Sequence, residues 1–600
     1  MKIKKEIRTS RTARTVVLAG LALSVVPPAS AQQLPRVIAP DPGAVLRNIQ
    51  ETEQREQREQ QRESTKAPPP VTTQPPPDKL GPEHLEASIL VQGFRLDGVT
   101  LLPQEELQEL LRPMIGRSLT LPELIRQVQV VTASYARQGY VARTLIPEQD
   151  ITDGVVRLVV LEGRLGVINI QLGDDVRFPP ERVRNTLLAR QQEGEPIRIP
   201  ELERSMLLLN DFGGIDVRSA LQPGADPGLT DENIYVRPLP FVAGSINADN
   251  FGTRSVGQNQ LSALIRLNNV DGRGGSATLN AMGMFVDSRV NTYGSLIYAT
   301  PIGYDGLSLQ LGASELDYRL GEQFASLNVK GTSTTYFAGL SYPIVRSGNQ
   351  NLYASARYEH LKLKATATSD CVPLTDKDVD LMQIGLAFDR LDGVSDSFLT
   401  GSGQLTSGSV RFGPGQTFSF PGCGNSVGFV QVDPSGVEGN FTKISAAASY
   451  QRRLTENLTW SLSGSGQYAF TNLDTSQQMT LGGPFGVRAY PVSEAAGDQG
   501  ILANIELRYR MFGGVVGSAF VDGGHIHRLH EVPSGVPSTH NDVSLYGAGF
   551  GLYYTQPGRF NLAAAVAWRI GENPLRNVNG TDSDGLKRDP RFWANLSYFF

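Results

Sequence analysis

At 600 residues the chain is too long for one soluble core and should divide into several domains. Its formal net charge is −5 and it has no lysine-rich block, which argues against a nucleic-acid partner. Glycine at 63 residues, with 40% hydrophobic and only 19% charged residues, fits many tight turns between half-apolar strands.

The chain opens with Lys2, Lys4, Lys5, Arg8, Arg11 and Arg14, then an apolar run over 16–26, then Ala29-Ser30-Ala31. That order reads as a secretory signal over 1–31, cleaved after Ala31. The apolar run is too short to span a bilayer, and no later segment is long and apolar enough for a transmembrane helix. Residues 45–63 follow, where Val45, Leu46 and Ile49 lead into a Glu/Gln/Arg-rich stretch with good helix formers and a Glu51–Arg55 i,i+4 pair. With almost no apolar face, this helix is expected to stay out of any hydrophobic core and to suit water or a wet, polar cavity. A proline-rich linker over 67–84 then acts as an extended, semi-rigid tether.

Residues 88–163 predict strand, helix, helix, strand, strand, with helices over 104–111 and 121–138 and strands over 141–146 and 155–161. Gly139 sits where a helix C-cap glycine belongs. The same order recurs in 164–238, with a strand at 167–172, helices at 181–189 and 201–210, and strands at 215–221 and 233–237. Two copies of one βααββ unit are an internal repeat.

From Phe241 helical periodicity vanishes. Leu307, Leu309 and Leu311 alternate with Ser308, Gln310 and Gly312, and Ile505, Leu507, Tyr509 and Met511 alternate with Glu506, Arg508 and Arg510. Period-two alternation puts one face in apolar surroundings and the other in water. Sixteen such segments fill 241–600, an even number, as a single-chain outer-membrane barrel requires. Connections such as 271–274, 454–457, 512–514 and 556–558 are short and belong on the periplasmic side, while 414–437 and 528–542 are long and face outward. By that parity the interval 470–500 also leaves from the outer side. It contains Leu481-Gly482-Gly483-Pro484-Phe485-Gly486-Val487-Arg488-Ala489-Tyr490-Pro491, a glycine-rich turn around a cation and an aromatic. Loops this long are uncommon unless functional or disordered. Arg488 carries a donor fork suited to a carboxylate, and Asp522 stands in the strand-like run 519–524. The last segment ends in an aromatic, with Phe592, Leu596, Tyr598 and Phe600 on one face.

These residues together resemble the transporters of two-partner secretion (TpsB), the haemolysin secretion/activation proteins within the outer-membrane assembly superfamily. The resemblance rests on Gly139 through Asp150 with Asp153-Gly154, on Leu208-Leu209-Asn210 through Gly224, on Asp249-Asn250-Phe251-Gly252, and on Val487-Arg488-Ala489-Tyr490. Gly497-Asp498-Gln499-Gly500 and Phe520-Val521-Asp522-Gly523-Gly524 complete it. It implies a plug helix within 32–66, two polypeptide-transport-associated (POTRA) domains over 85–163 and 164–240, and a sixteen-stranded barrel over 241–600. Its sixth extracellular loop, 470–500, would fold into the lumen, with the tip Val487, Arg488, Ala489 and Tyr490 against Asp522 of the wall. Tyr140, Arg143, Pro147 and Gln149 mark the client-binding POTRA region. The implied function is outer-membrane translocation of an unfolded exoprotein without nucleotide hydrolysis, by a monomer that uses the barrel-assembly machinery during biogenesis. No catalytic residue, cofactor, metal or nucleic acid is expected. The family tip is usually Val-Arg-Gly-Tyr, and Ala489 would be strained there if that position needs positive φ.

Two other classes compete. His525, His527 and His530 form a His-x-His-x-x-His cluster whose first two members share a strand face and could hold a surface metal. A general pore or a barrel-assembly protein would also be a lipid-embedded barrel, but a pore does not need two periplasmic repeats. Cys371 and Cys423 are the only cysteines. Parity puts both on the outer side, where a disulfide could join them.

Overall fold

The computed structural model describes residues 40–65, 71–73, 88–151, 153–366, 375–413, 436–533 and 540–600. The expected signal segment, both cysteines and most of the proline-rich linker lie outside them. The first element is a 24-residue helix, α1 (Pro42–Thr65), capped by Asp41, whose Oδ1 accepts the Gly43 N–H at 2.8 Å. A three-residue strand, β1 (Val71–Thr73), follows.

The first repeat comprises β2 (Ser88–Leu90), β3 (Gly93–Asp97), α2 (Gln104–Leu111), β4 (Ser118–Thr120), α3 (Leu121–Arg137), β5 (Ala142–Leu145) and β6 (Val155–Glu162). A capping box between Thr120 and Glu123 starts α3, and Gly139, at φ +82°, ends its turn. Leu124, Val128, Val131 and Tyr135 bury the helical stripe against Val156, Leu158 and Val160 of β6. The second repeat has β7 (Arg164–Leu172), α4 (Pro180–Leu187), α5 (Ile199–Asp211), β8 (Ile215–Pro223) and β9 (Leu229–Pro238). Its sheet order is β1-β8-β9-β7, so part of the linker is a strand of this sheet: Val71, Thr72 and Thr73 run parallel to Ser219, Ala220 and Leu221.

Sixteen strands then close into an antiparallel barrel. They are β10 (Val242–Asp249), β11 (Asn259–Asn268), β12 (Ser276–Val286), β13 (Arg289–Ile302), β14 (Leu307–Arg319), β15 (Lys330–Arg346), β16 (Gln350–Thr366), β17 (Thr375–Asp392), β18 (Ser397–Phe412), β19 (Gly439–Arg453) and β20 (Leu458–Ala469). A two-stranded hairpin, β21 (Met479–Leu481) and β22 (Ala495–Gly497), interrupts the series before β23 (Gln499–Arg510), β24 (Val515–His527), β25 (Asp542–Gln556), β26 (Phe560–Arg569) and β27 (Arg591–Phe599). Closure pairs β27 with β10, from Ser245 opposite Phe599 to Asp249 opposite Asn595. On β17, Met382, Ile384, Leu386 and Phe388 point outward and are exposed, while Gln383, Gly385 and Asp389 face the lumen. Exposed apolar rows of this kind on every side are stable only against lipid.

The second repeat is fixed to the periplasmic turns of the barrel by arginine forks. Arg190 grips Asp305 at 2.7 and 2.9 Å, and Arg346 grips Asp211 at 2.9 and 2.7 Å. Arg204, almost fully buried, donates to Pro343 O at 2.7 Å.

The expectation that the first helix stays out of a hydrophobic core does not hold for its first turns. Val45, Leu46 and Ile49 are buried in one cluster with Met284, Tyr318, Leu363 and Leu381 of the barrel wall. Three apolar residues at i, i+1 and i+4 suffice to seat one turn against the wall, although the helix as a whole is polar. Farther along, Glu53 accepts from Asn280 Nδ2 at 2.5 Å and from Tyr293 OH at 3.0 Å, and Gln50 Nε2 donates to Glu359 at 3.2 Å, so polar side chains of the wall hold that part.

Candidate functional site: the lumenal loop and its arginine

The interval between β20 and β23 folds back inside the barrel, with β21 and β22 as its stem. Gly482 and Gly483 take φ of +91° and +88°, a region only glycine enters freely, and turn the chain at the end of the stem. Gly486 is needed for closeness instead, since a Cβ there would stand 2.5 Å from Gly482 O. Gly483 N donates to Tyr490 O at 3.0 Å and Tyr490 N to Val487 O at 3.1 Å, which sets the tip.

At that tip Arg488 is only 8% exposed and Asp522 is fully buried. Arg488 Nε donates to Asp522 Oδ2 at 2.9 Å, Nη2 to Oδ1 at 2.7 Å, and its backbone N to Oδ2 at 3.1 Å. The remaining guanidinium nitrogen, Nη1, donates to Glu506 Oε2 at 2.9 Å. Glu506 also accepts from Arg508 Nε at 2.7 Å and Tyr553 OH at 3.1 Å, so two cations face two carboxylates, with Arg508 half-exposed and the other three charges buried. The Arg488 guanidinium lies 3.3 Å from the centre of the Phe520 ring, and Trp593 Nε1 donates to Arg488 O at 2.7 Å.

Val487, Ala489 and Tyr490 are all buried in the cluster that includes Leu502, Phe520, Val543 and Leu545. Ala489 is absent from the residues at positive φ, so the alanine is unstrained. The room is made opposite it: a Cβ on Gly547 of β25 would stand 2.7 Å from the Ala489 Cβ.

The helix in the lumen touches the same loop. Lys377 Nζ, on β17, donates to Asp41 Oδ2 at 3.1 Å and Asp474 Oδ2 at 2.5 Å. Thr475 donates to Asp41 Oδ1 at 2.7 Å, Arg47 donates to Thr475 O, and Ser493 donates to Asn48 Oδ1 at 2.9 Å. The plug helix is therefore hydrogen-bonded to the two limbs of the loop, at Thr475 and Ser493.

Of the four periplasmic residues singled out in sequence, Arg143 is exposed on β5, Pro147 is half-buried, and Tyr140 packs on the core of its repeat. The Gln149 side chain exchanges hydrogen bonds with the Arg157 backbone at 2.7 and 2.8 Å, extending the pairing of β6. The histidines do not converge. His525 and His527 pair with Asp542 at 3.5 and 2.9 Å, whereas His530 turns to Gln499 at 2.7 Å. Among the described residues no group of three ligating side chains could hold a metal. Sequence reasoning named Glu506 and Arg508 only as lumenal polar residues and passed over Trp593 and the 571–590 loop. Trp593 falls on the face opposite Phe592, the one available signal that it points inward.

A profile described as haemolysin secretion/activation protein ShlB/FhaC/HecB matches residues 228–554, and a ShlB-type POTRA domain matches 89–163. The chain belongs to this family. The heme/hemopexin transporter protein HuxB of Haemophilus influenzae is 26% identical over 509 residues, covering 82% of this chain and 83% of that one. The outer membrane transporter CdiB of Escherichia coli is 26% identical over 505 residues, covering 81% and 80%. The fold is shared with the solved structure of CdiB from Escherichia coli, with a TM-score of 0.67 and 21% identity over 94% of this chain and all of that one. As a family member this TpsB chain is an outer-membrane β-barrel transporter of two-partner secretion. Its POTRA domains lie in the periplasm, and it serves a secreted exoprotein partner.

Proposed function

We propose that this TpsB transporter captures its exoprotein unfolded at the POTRA domains and passes it through the barrel lumen after the loop and the plug helix yield. Capture is by strand addition, in which main-chain hydrogen bonds tolerate any sequence. Support comes from β8, whose outer edge already accepts an extended segment, the chain's own β1. Tyr140, Arg143, Pro147 and Gln149 border the other candidate surface, around β5 and β6. Arg143 is the member free to meet a client, while Gln149 shapes the strand edge.

The carrying observation is the Arg488–Asp522–Glu506 contact, a clasp buried inside the barrel whose second carboxylate is balanced by Arg508. A buried pair of this kind is weak as a stabiliser of folding but strict in geometry, which suits a latch. No phosphate-binding Gly-Lys-Ser/Thr loop is present in the sequence, so folding of the client outside supplies the directional bias. The transporter works as a monomer in outer-membrane lipid, is inserted by the barrel-assembly machinery, and performs no chemistry on its client. The test is Arg488→Ala: secretion should fall sharply at a normal level of folded barrel, and undiminished secretion would remove the tip from the mechanism.

A further inference from the structure

The loop between β26 and β27, residues 571–590, also folds inward, and its charges are arranged around one carboxylate. Asp582 is fully buried. Arg591 Nη2 donates to it at 2.9 Å, Arg576 Nε at 3.4 Å and Asn573 Nδ2 at 3.0 Å, and Arg569 Nη2 donates to it as well. Arg569 and Arg591 stand at the adjoining ends of two wall strands, so Asp582 ties the loop to the wall at two points. Asp584 strengthens the second point, accepting from Arg591 Nη1 at 2.8 Å.

The same arginine reaches the tip of loop 6. Arg569 Nε donates to Ala489 O at 3.4 Å, and its guanidinium lies 5.1 Å from the centre of the Tyr490 ring. Glu494, on the descending limb of loop 6, accepts from Ser583 N at 2.9 Å and from Asn573 Nδ2, both in the 571–590 loop. Leu575 packs on the cluster that buries Val487, Ala489 and Tyr490. A flexible outer loop would have no use for a buried carboxylate bound by three arginines, because each charge costs desolvation unless the others stay in place.

We propose that the 571–590 loop is part of the lid, and that Asp582 is the positioning residue that bolts this loop, and through Arg569 the tip of loop 6, to the barrel wall. This rests on the reading of loop 6 as a lid. Opening must then break two clasps, Arg488 on Asp522 with Glu506, and Asp582 on Arg569 with Arg591.

A thiol at position 487, in a full chain carrying Cys371→Ser, Cys423→Ser and Val487→Cys, reports release of the tip, because Val487 is fully buried in the closed lid. Its rate of reaction with a membrane-impermeant maleimide is read on intact cells. Asp582→Asn should raise that rate at least about tenfold, since it removes the charge from the hydrogen bonds of three arginines. Asp582→Glu should return it to within about twofold of the parent. A second reporter, Leu46→Cys on the plug helix, should not respond to Asp582→Asn. If Asp582→Asn does not accumulate as a heat-modifiable barrel, Glu494→Gln takes its place, with the same rise expected.

A rate within about twofold of the parent in the folded variant overturns the proposal, as does an equal rise at positions 487 and 46, which would mean general loosening. Arg488→Ala separates the two readings. If it too leaves position 487 unreactive, the lid itself is wrong. If it accelerates labelling while Asp582→Asn does not, only the second bolt is lost.

Discussion

Replacing Asp522 by asparagine removes the carboxylate from the clasp while keeping its size. In the closed state Arg488 makes four hydrogen bonds to carboxylates, three of them to Asp522. Asparagine offers one acceptor oxygen where aspartate offers two, so at least one of the two side-chain bonds is lost and the rest lose their charge assistance. Hydrogen bonds to charged groups contribute about 1.5–3 kcal/mol each, and a buried arginine left half-paired bears its desolvation cost as well. Glu506 remains and limits the loss, so the closed state should weaken by about 2–3 kcal/mol, roughly 30- to 150-fold in the closed-to-open ratio. Arg488→Lys should do nearly as much harm, because an ammonium cannot span Asp522 and Glu506 with a planar fork. The assay is single-channel recording of the purified full chain in planar bilayers, with opening frequency compared between wild type, Asp522→Asn and Arg488→Lys. An opening frequency unchanged in both variants would refute the reasoning, because no buried arginine clasp could lose its main carboxylate without cost.

Glu232 is buried in the second POTRA domain with one donor, Ser219 Oγ at 2.7 Å, and burial pushes its carboxyl up to about 7. The folded domain therefore holds a proton that the unfolded chain releases near pH 4.5, and stability falls as pH rises from about 4.5 to 7, by about 3 kcal/mol in all. Glu232→Gln should flatten that dependence in hydrogen exchange of β9 in the full chain between pH 5 and pH 8. Glu162 in the first POTRA domain is buried too, yet the Thr100 hydroxyl, Thr100 N, Leu101 N and Tyr135 OH all donate to it, outweigh burial and hold its carboxyl below the usual range, so it should show no such fall. Gly547→Ala places a methyl against Ala489 and should raise the opening frequency as Asp522→Asn does, with the barrel still heat-modifiable. Asp305→Ala removes the carboxylate gripped by Arg190, while Arg204 keeps the carbonyls of Asp305 and Pro343, and should broaden the distance between spin labels on α4 and a periplasmic turn.

The barrel was legible because its signal is local. Wall strands announce themselves by alternation, as Met382, Ile384 and Leu386 do against Gln383 and Gly385, and short turns such as 271–274, 512–514 and 556–558 by glycine. The helices of both POTRA domains were legible for the same reason, through the stripe Leu124, Val128, Val131 and Tyr135. Arg488 and Asp522 came from resemblance, since nothing periodic links residues 34 apart. The partners missed are the ones whose meaning depends on closure. Trp593 meets Arg488 across 105 residues, and Asp582 meaningfully acts only once β26 and β27 set Arg569 and Arg591 beside it. The first turns of α1 were misjudged because three apolar residues in a polar helix weigh little in a sequence average but seat it firmly once the wall supplies Tyr318 and Leu363. The strand at Val71–Thr73 was hidden by surrounding prolines, which favour an extended chain without saying that it will find a sheet edge.

The most direct test of an inward-folded loop that must leave for the client to pass is to fasten it. With Cys371→Ser and Cys423→Ser, the pair Ala489→Cys and Gly547→Cys sets two β-carbons 2.7 Å apart, about 1 Å closer than disulfides usually hold them, so a small local shift lets the bond form. Secretion of the partner exoprotein should stop when that disulfide is oxidised and resume when reductant is added. Secretion at the full rate from a transporter whose loop is quantitatively crosslinked to the wall would contradict the account.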